Sequence, residues 1–335
     1  CLDDNARALL MVVMAYRQQK HLHAVELLPV YLSYIHYMQN DDGTFRNFLS
    51  FSRNYLDEVG SEDSFGRTIW ALGYLLRHPT NEMHYQSAKE IFLYAAPNFD
   101  KLRYIRGIAN TMIGLSHYLD SNPAETGMKE LLRGMAYRLA DHYKEHSKPG
   151  WKWFEPVLTY DNAVLPLSLL QAAEILADEN LMMIAKESMD FLSGICLRNG
   201  YLSVIGNEKW FSLDSRQSVF AQQPIDAMMM TLMFQKAFSL TGDKKYLGNL
   251  NTSFMWFLGE NDLQIHLYDR DTKGCFDGLE SYGVNRNQGA ESTLAYLVSH
   301  LVMSEMVAGK ETGSAEENDE DNIPNYQEAK PGMAV

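Results

Sequence analysis

The connections of this chain alternate in length, and that alternation limits the folds open to it. Helical periodicity dominates, and several predicted helices are joined by turns of only a few residues, at about 78–82, 120–124, 177–180 and 240–244. The connections ending before residues 61, 161, 223 and 289 run instead to about 13 to 30 residues and are rich in polar and aromatic side chains. A short link folds two helices into an antiparallel hairpin, and a long link carries the chain back to begin the next. The connection near 102–104 is the exception, short where the pattern wants a long one.

Apolar spacing places the elements. Leu9, Leu10, Val13 and Met14 predict a helix from Asp4 to about Gln18, and a second covers about 23–38. Ser61-Glu62-Asp63-Ser64 caps a helix through Ile69, Leu72, Leu75 and Leu76, which Pro79 ends. Further helices are expected near 83–96, 104–120, 124–146, 162–177, 180–197, 223–240, 243–258 and 289–308. Paired, these give five hairpins and a sixth leading helix. The leading helices start near residues 4, 63, 104, 162, 223 and 289, a spacing too long and irregular for tetratricopeptide or HEAT arrays. The expected fold class is therefore all-α, an (α/α)6 toroid, with the last outer helix missing or supplied from outside the chain. Residues 1–310 are expected to form the toroid, as a fragment of a longer protein. Residues 311–335, where apolar periodicity stops, read as an acidic, disordered tail.

A toroid puts the N-termini of all inner helices at one mouth, where the long loops and the positive helix ends converge. The residues that open the leading helices are acids and amides: Asp3, Asp4 and Asn5; Glu62 and Asp63; Asp161 and Asn162; Gln222 and Gln223; Asn287, Gln288 and Glu291. Cleavage of a glycosidic bond needs a proton donor and a second carboxylate flanking that bond. Asp63 or Asp161 is the expected general acid, and Asp4 or Glu291 the base that activates water. Asp3, Ser61 and Asp161 also suit helix capping alone. Asp4 and Asp63 each follow another acid, an arrangement that costs repulsion. Arg7 and Arg67, four residues after Asp3 and Asp63, are placed to pair with them. Sugar faces call for aromatic plates, and Trp151, Trp153, Tyr160 and Trp210 are the candidates. The remaining proposed sugar contacts are Asp3, Asn5, Glu62, Arg67, Asn162, Gln222, Gln223, Asn287 and Gln288.

Composition narrows the partners. The net charge is −14, of which residues 311–335 carry −6, so nucleic acid and anionic membranes are poor partners. No apolar run approaches the roughly 18 residues of a membrane span, and a cytoplasmic location is expected. Cys1, Cys196 and Cys275 form no Cys-x-x-Cys pair, and neither a metal nor a cofactor is expected. Walker A, Gly-x-Ser-x-Gly and His-Glu-x-x-His patterns are missing. Met228, Met229 and Met230 read as core. His21, His23, His36 and His84 fall on outer helices or short turns, which leaves His266 at the mouth.

The strings CLDDNARAL, DDGTFRNF, GSEDSFGRTIWALG, WKWFEPVLTYDNAVLP, QQPIDA, WFLGEND and NQGAESTLA resemble a helical toroid domain of bacterial carbohydrate loci, itself similar to the six-hairpin glycosidases. The resemblance spans about residues 1–308. It implies a domain fused to, or encoded beside, GT-B glycosyltransferases, with an oligosaccharide or glycoconjugate as ligand. It implies no particular catalytic residues. A non-catalytic sugar-binding or acceptor-positioning domain of a glycosyltransferase is the alternative function, and a sugar epimerase or isomerase with paired histidines at the pocket is the second.

Overall fold

The computed structural model describes residues 1–19 and 22–320, with Gln19, Leu22 and residues 308–320 as backbone only. Eleven helices carry the fold among them. The leading helices are α1 (Leu2–Gln19), α3 (Glu62–Arg77), α5 (Ile105–Ser121), α7 (Val164–Leu176), α9 (Pro224–Thr241) and α11 (Ala290–Glu320). The trailing helices are α2 (Leu22–Met38), α4 (Glu82–Ala95), α6 (Thr126–His146), α8 (Glu179–Cys196) and α10 (Lys244–Met255). Each leading helix packs on the next, and α11 returns against α1, so the six close into a ring. Each of the first five also packs on its trailing partner. This is the (α/α)6 toroid. Helix α11 has no hairpin partner after it among the described residues.

The inner position explains the sequence of these helices. Every residue from Ser64 to Leu76 in α3, and from Ile105 to Leu119 in α5, is buried, because the ring encloses one side and outer helices cover the other. A helix buried all round loses the usual one-sided apolar stripe. Met228, Met229 and Met230 are core residues of α9, as expected. The α3–α5 seam is tighter than ordinary side chains allow. A Cβ on Gly73 would stand 2.1 Å from the Gly114 carbonyl oxygen, and one on Gly66 would stand 2.6 Å from that of Gly107. Only glycine fits two such backbones this close.

Ion pairs mark the two ends of the ring. At the C-terminal end, Arg17 of α1 pairs with Glu305 of α11, Arg77 of α3 with Asp120 of α5 at 2.6 Å, and Lys236 of α9 with Glu174 of α7. Alternate seams are thus stitched by ion pairs whose cationic members also suit helix C-termini. The N-terminal end carries the long loops. Residues 39–61 fold back through bridges at Gln39–Phe45 and Leu49–Tyr55. Strand β1 (Val157–Leu158) pairs antiparallel with β2 (Phe211–Ser212), tying the loop before α7 to the loop before α9. A hairpin of β3 (Gly278–Glu280) and β4 (Gly283–Asn285) precedes α11, and Leu279 bridges to Gln222.

Helix α11 continues to Glu320, through the start of the segment expected to be a tail. The rest of that segment, 321–335, lies outside the described residues, as does His21. No helix of the described residues is long and apolar enough to cross a membrane.

Candidate functional site

Two buried arginines organise the N-terminal mouth. Each lies on an inner helix one turn behind the acids that open it. Arg67 of α3 donates to Asp3 at 2.9 Å and to Asp161 at 3.1 Å, and stands 3.9 Å from Asp63. Arg7 of α1 reaches Asp3 at 3.2 Å, Asp4 at 3.4 Å and Glu291 of α11 at 2.7 Å. Asp3 is shared, so five carboxylates from four helix starts form one network around two guanidinium groups. Burial opposes the charge on Arg67, but Asp3, Asp161, Asp63 and Glu291 outweigh it and hold the group still more firmly protonated.

Arg106, the second residue of α5, clamps the loop that delivers Asp161. It donates from Nε to the Tyr160 carbonyl at 2.7 Å and from a terminal nitrogen to Thr159 Oγ1 at 2.6 Å, pairs with Glu155 at 2.9 Å, and lies over the Tyr160 ring. The held Tyr160 donates its hydroxyl to Asp63 Oδ2 at 2.5 Å. Burial, then the charge of Asp63, push the phenol up, so Tyr160 stays a neutral donor. Asp161 adopts a left-handed backbone, φ 49°. Asp226, in the first turn of α9, accepts from the Asp161 and Asn162 amides and fixes that turn. The Asn162 side chain closes it by exchanging hydrogen bonds with the Thr159 backbone.

Burial sorts the carboxylates. The Asp161 side chain is 1% exposed, whereas those of Asp63, Asp4 and Glu291 are 17%, 32% and 40% exposed. Desolvation raises the Asp161 carboxyl despite Arg67, and desolvation with the charge of Asp161 raises Asp226 further. Desolvation and the charge of Asp161 thus favour the neutral form of Asp226, against the backbone amides that donate to it. Asp4, Asp63, Asp161 and Glu291 do meet, as the toroid geometry requires. Asp161, expected as a candidate acid, is the least exposed of the four and is held by Arg67.

Other expected contacts are engaged within the fold. Trp151 and Trp153 are buried and packed on Phe191, with Trp151 also against Phe211 and Trp153 against Phe154. They hold the loop to the core and offer no sugar platform. Gln222 is buried and joins Trp256 Nε1 to Asp262. Glu62 caps the start of α5 by accepting from the Arg103 and Tyr104 amides, both at 2.7 Å. Asn287 binds Asp277, which also accepts from the Gly289 amide, and a Cβ on Gly289 would press on that carboxylate. Gln288 is tied to Asp269 and Thr272. Gln223 accepts from Asn207, and Asn5 donates to the Cys1 carbonyl. Asn162 serves its own turn. Trp210 is 43% exposed, and Tyr104, which the sequence reading passed over, is 71% exposed beside Glu62.

His78 and His117 flank the Tyr74 ring and line a cavity of about 400 Å³ at the opposite end of the ring. Burial first, then Arg17 and Arg77, hold His78 near 4; burial and Arg77 also hold His117 low. Both are neutral, and neither is among the partners of the carboxylate network. His266 is exposed on the loop before α11.

No protein-family profile and no curated protein matches the chain. Solved structures do. A cellobiose 2-epimerase from Spirochaeta thermophila shares 13% identity at a TM-score of 0.67, covering 91% of this chain and 86% of its own. A D-mannose isomerase shares 11% identity at 0.67, covering 91% and 87%. An α-mannanase from Bacteroides thetaiotaomicron, of glycoside hydrolase family 76, shares 11% at 0.62, also covering 91% and 87%. At these identities the likeness establishes the six-hairpin toroid fold.

Proposed function

We propose that this chain is a carbohydrate-active domain that cleaves a glycosidic bond at the N-terminal mouth of the toroid. One observation carries the reading: Asp63, Asp4 and Glu291, from three different inner helices, keep solvent access around the buried Arg7 and Arg67. Asp63 stands as one member of the reacting pair and Asp4 or Glu291 as the other, with Asp161 and Asp3 as anchors. Tyr160 occupies Oδ2 of Asp63 and leaves Oδ1 for substrate or water. A separation of about 6.5–9.5 Å between the reacting carboxyls in the bound state would give inversion, and about 5–5.5 Å retention. Exposed Trp210 and Tyr104 supply apolar faces for sugar rings. The sugar-handling neighbours on this fold add support by analogy. A glycosyltransferase domain upstream or in trans belongs to the proposal on the sequence resemblance alone.

The test is release of reducing ends from mannose-, glucose- and glucuronate-containing oligosaccharides. Asp63→Asn should cut kcat by about 10²–10⁴ while changing binding little. Wild-type binding without turnover, unaltered in Asp63→Asn, would establish the non-catalytic binding domain instead. Conversion of a reducing sugar to its epimer or ketose isomer without release of new reducing ends, unaffected by Asp63→Asn but lost in His78→Phe or His117→Phe, would point to an epimerase or isomerase at the other end.

A further inference from the structure

The last turn of α6 reads Asp141-His142-Tyr143-Lys144-Glu145-His146. Positions i, i+3 and i+4 lie on one helix face, so His142, Glu145 and His146 project together. Their ligand atoms all lie within 4.8 Å of one another. The two imidazole planes are nearly parallel, at 9°, with centroids 6.2 Å apart. The intervening side chains are engaged elsewhere. Tyr143 turns inward to Glu187, and Lys144 pairs with Asp141 at 3.1 Å.

A second observation gives this group a chemical direction. His146 Nδ1 lies 3.0 Å from the His142 carbonyl oxygen. A carbonyl only accepts, so Nδ1 carries a proton, and in the neutral tautomer this leaves the lone pair on Nε2. Metal-bound histidines are oriented by this kind of outer hydrogen bond. The free C-terminal carbonyls of α6 add a favourable field for a cation.

We propose that His142, Glu145 and His146 form a binding site for a divalent late first-row metal ion, Zn²⁺ being the representative. Two borderline imidazoles with one carboxylate suit zinc, nickel or copper, and a hard ion such as Mg²⁺ has too few oxygens here. Zinc–nitrogen bonds of about 2.0–2.1 Å require the donors to draw closer. The imidazoles are only half-buried and Glu145 is exposed, so they can turn inward. Three protein donors leave a coordination position for water. The search for His-Glu-x-x-His missed this group because its glutamate lies next to the second histidine. The site is remote in sequence from the carboxylates but not from their support. The chain leaves α6 at Ser147 and runs directly into the loop that carries Trp151, Tyr160 and Asp161. A metal joining the last turn of α6 stiffens the root of that loop.

Zinc titration by calorimetry on the metal-free chain tests this, in a Cys1→Ser background because Cys1 is an exposed thiol. One ion per chain should bind with micromolar affinity and raise Tm. His142→Ala and His146→Ala should each weaken binding at least about tenfold, with Glu145→Gln weaker by less. Binding should fade on acidification as protons compete for the imidazoles. Zinc binding indifferent to all three substitutions, equal binding of Mg²⁺, or no binding at about 1 mM would each overturn the proposal. Circular dichroism of the variants separates a lost site from a lost fold.

Discussion

Arg67→Met removes the centre of the carboxylate network with little change in volume. The loss falls on Asp161, whose side chain is fully buried and whose salt-bridge partner is Arg67, donating at 3.1 Å. Asp3 keeps Arg7, and Asp63 keeps Tyr160. Stripped of its cation, a buried carboxylate costs about 3–5 kcal/mol. Asp161 can escape that penalty by taking a proton. From an ordinary value of 3.8, holding it neutral at pH 7 costs roughly 4 kcal/mol at about 1.36 per pH unit. At pH 5 the same step costs roughly 1.6 kcal/mol. The wild type already carries part of this cost, because its own Asp161 is raised, so the variant should be destabilised by up to about 4 kcal/mol at pH 7 and by less than half of that at pH 5. The sign follows from linkage. Asp161 has a folded value raised above its unfolded one, and removing Arg67 raises it further. The proton it holds stabilises the native state at low pH, and that contribution is lost as pH rises from about 4 towards the folded value. Urea unfolding of both proteins at pH 5, 6 and 7, followed by tryptophan fluorescence, gives the differences directly. A destabilisation independent of pH, or one below about 1 kcal/mol at pH 7, would refute the reasoning.

Two further perturbations read other parts of the account. Gly73→Ala drives a methyl group to 2.1 Å from the Gly114 carbonyl oxygen. It should cost at least about 1–3 kcal/mol in a urea midpoint, whereas Gly134→Ala on α6, with nothing within 4 Å, should gain up to about 1 kcal/mol. Equal effects at the two glycines would contradict the close seam. Asp226→Asn keeps an acceptor for the Asp161 and Asn162 amides and removes a proton-holding group. Its stability relative to wild type should grow with pH above about 4, by up to about 1.4 kcal/mol per unit. A relative loss of stability over that range would show that Asp226 is ionised in the fold.

The helix starts were legible because they rest on local chemistry. Ser61 caps α3 as its spacing indicated, accepting from the Ser64 amide. The alternation of loop lengths then fixes which helices share a direction. Burial of a loop residue leaves no such local trace. Trp151-Lys152-Trp153-Phe154 reads equally as a sugar platform or as a plug, and the plug wins because Phe191 of α8 lies under it. Arg106 and Asp226 were passed over because their partners, Tyr160 and the Asp161–Asn162 backbone, are distant in sequence. Asp226 did stand in a quoted string, QQPIDA, and an acid inside an apolar helix start is the signal that could have found it. The α3–α5 seam was also written, as glycines seven residues apart in both helices, 66 and 73 against 107 and 114. Spacing shows its meaning only when two such helices are known to be neighbours.

The most direct test of the account is the position of a bound sugar. A crystal of the Asp63→Asn protein soaked with mannose-, glucose- or glucuronate-containing oligosaccharides should place a glycosidic oxygen within about 3 Å of a carboxyl of Asp4 or Glu291, or of the amide that replaces the Asp63 carboxyl, above Arg7 and Arg67. A sugar seated at the opposite end, against His78 and His117, or one that touches none of those three side chains, would contradict it.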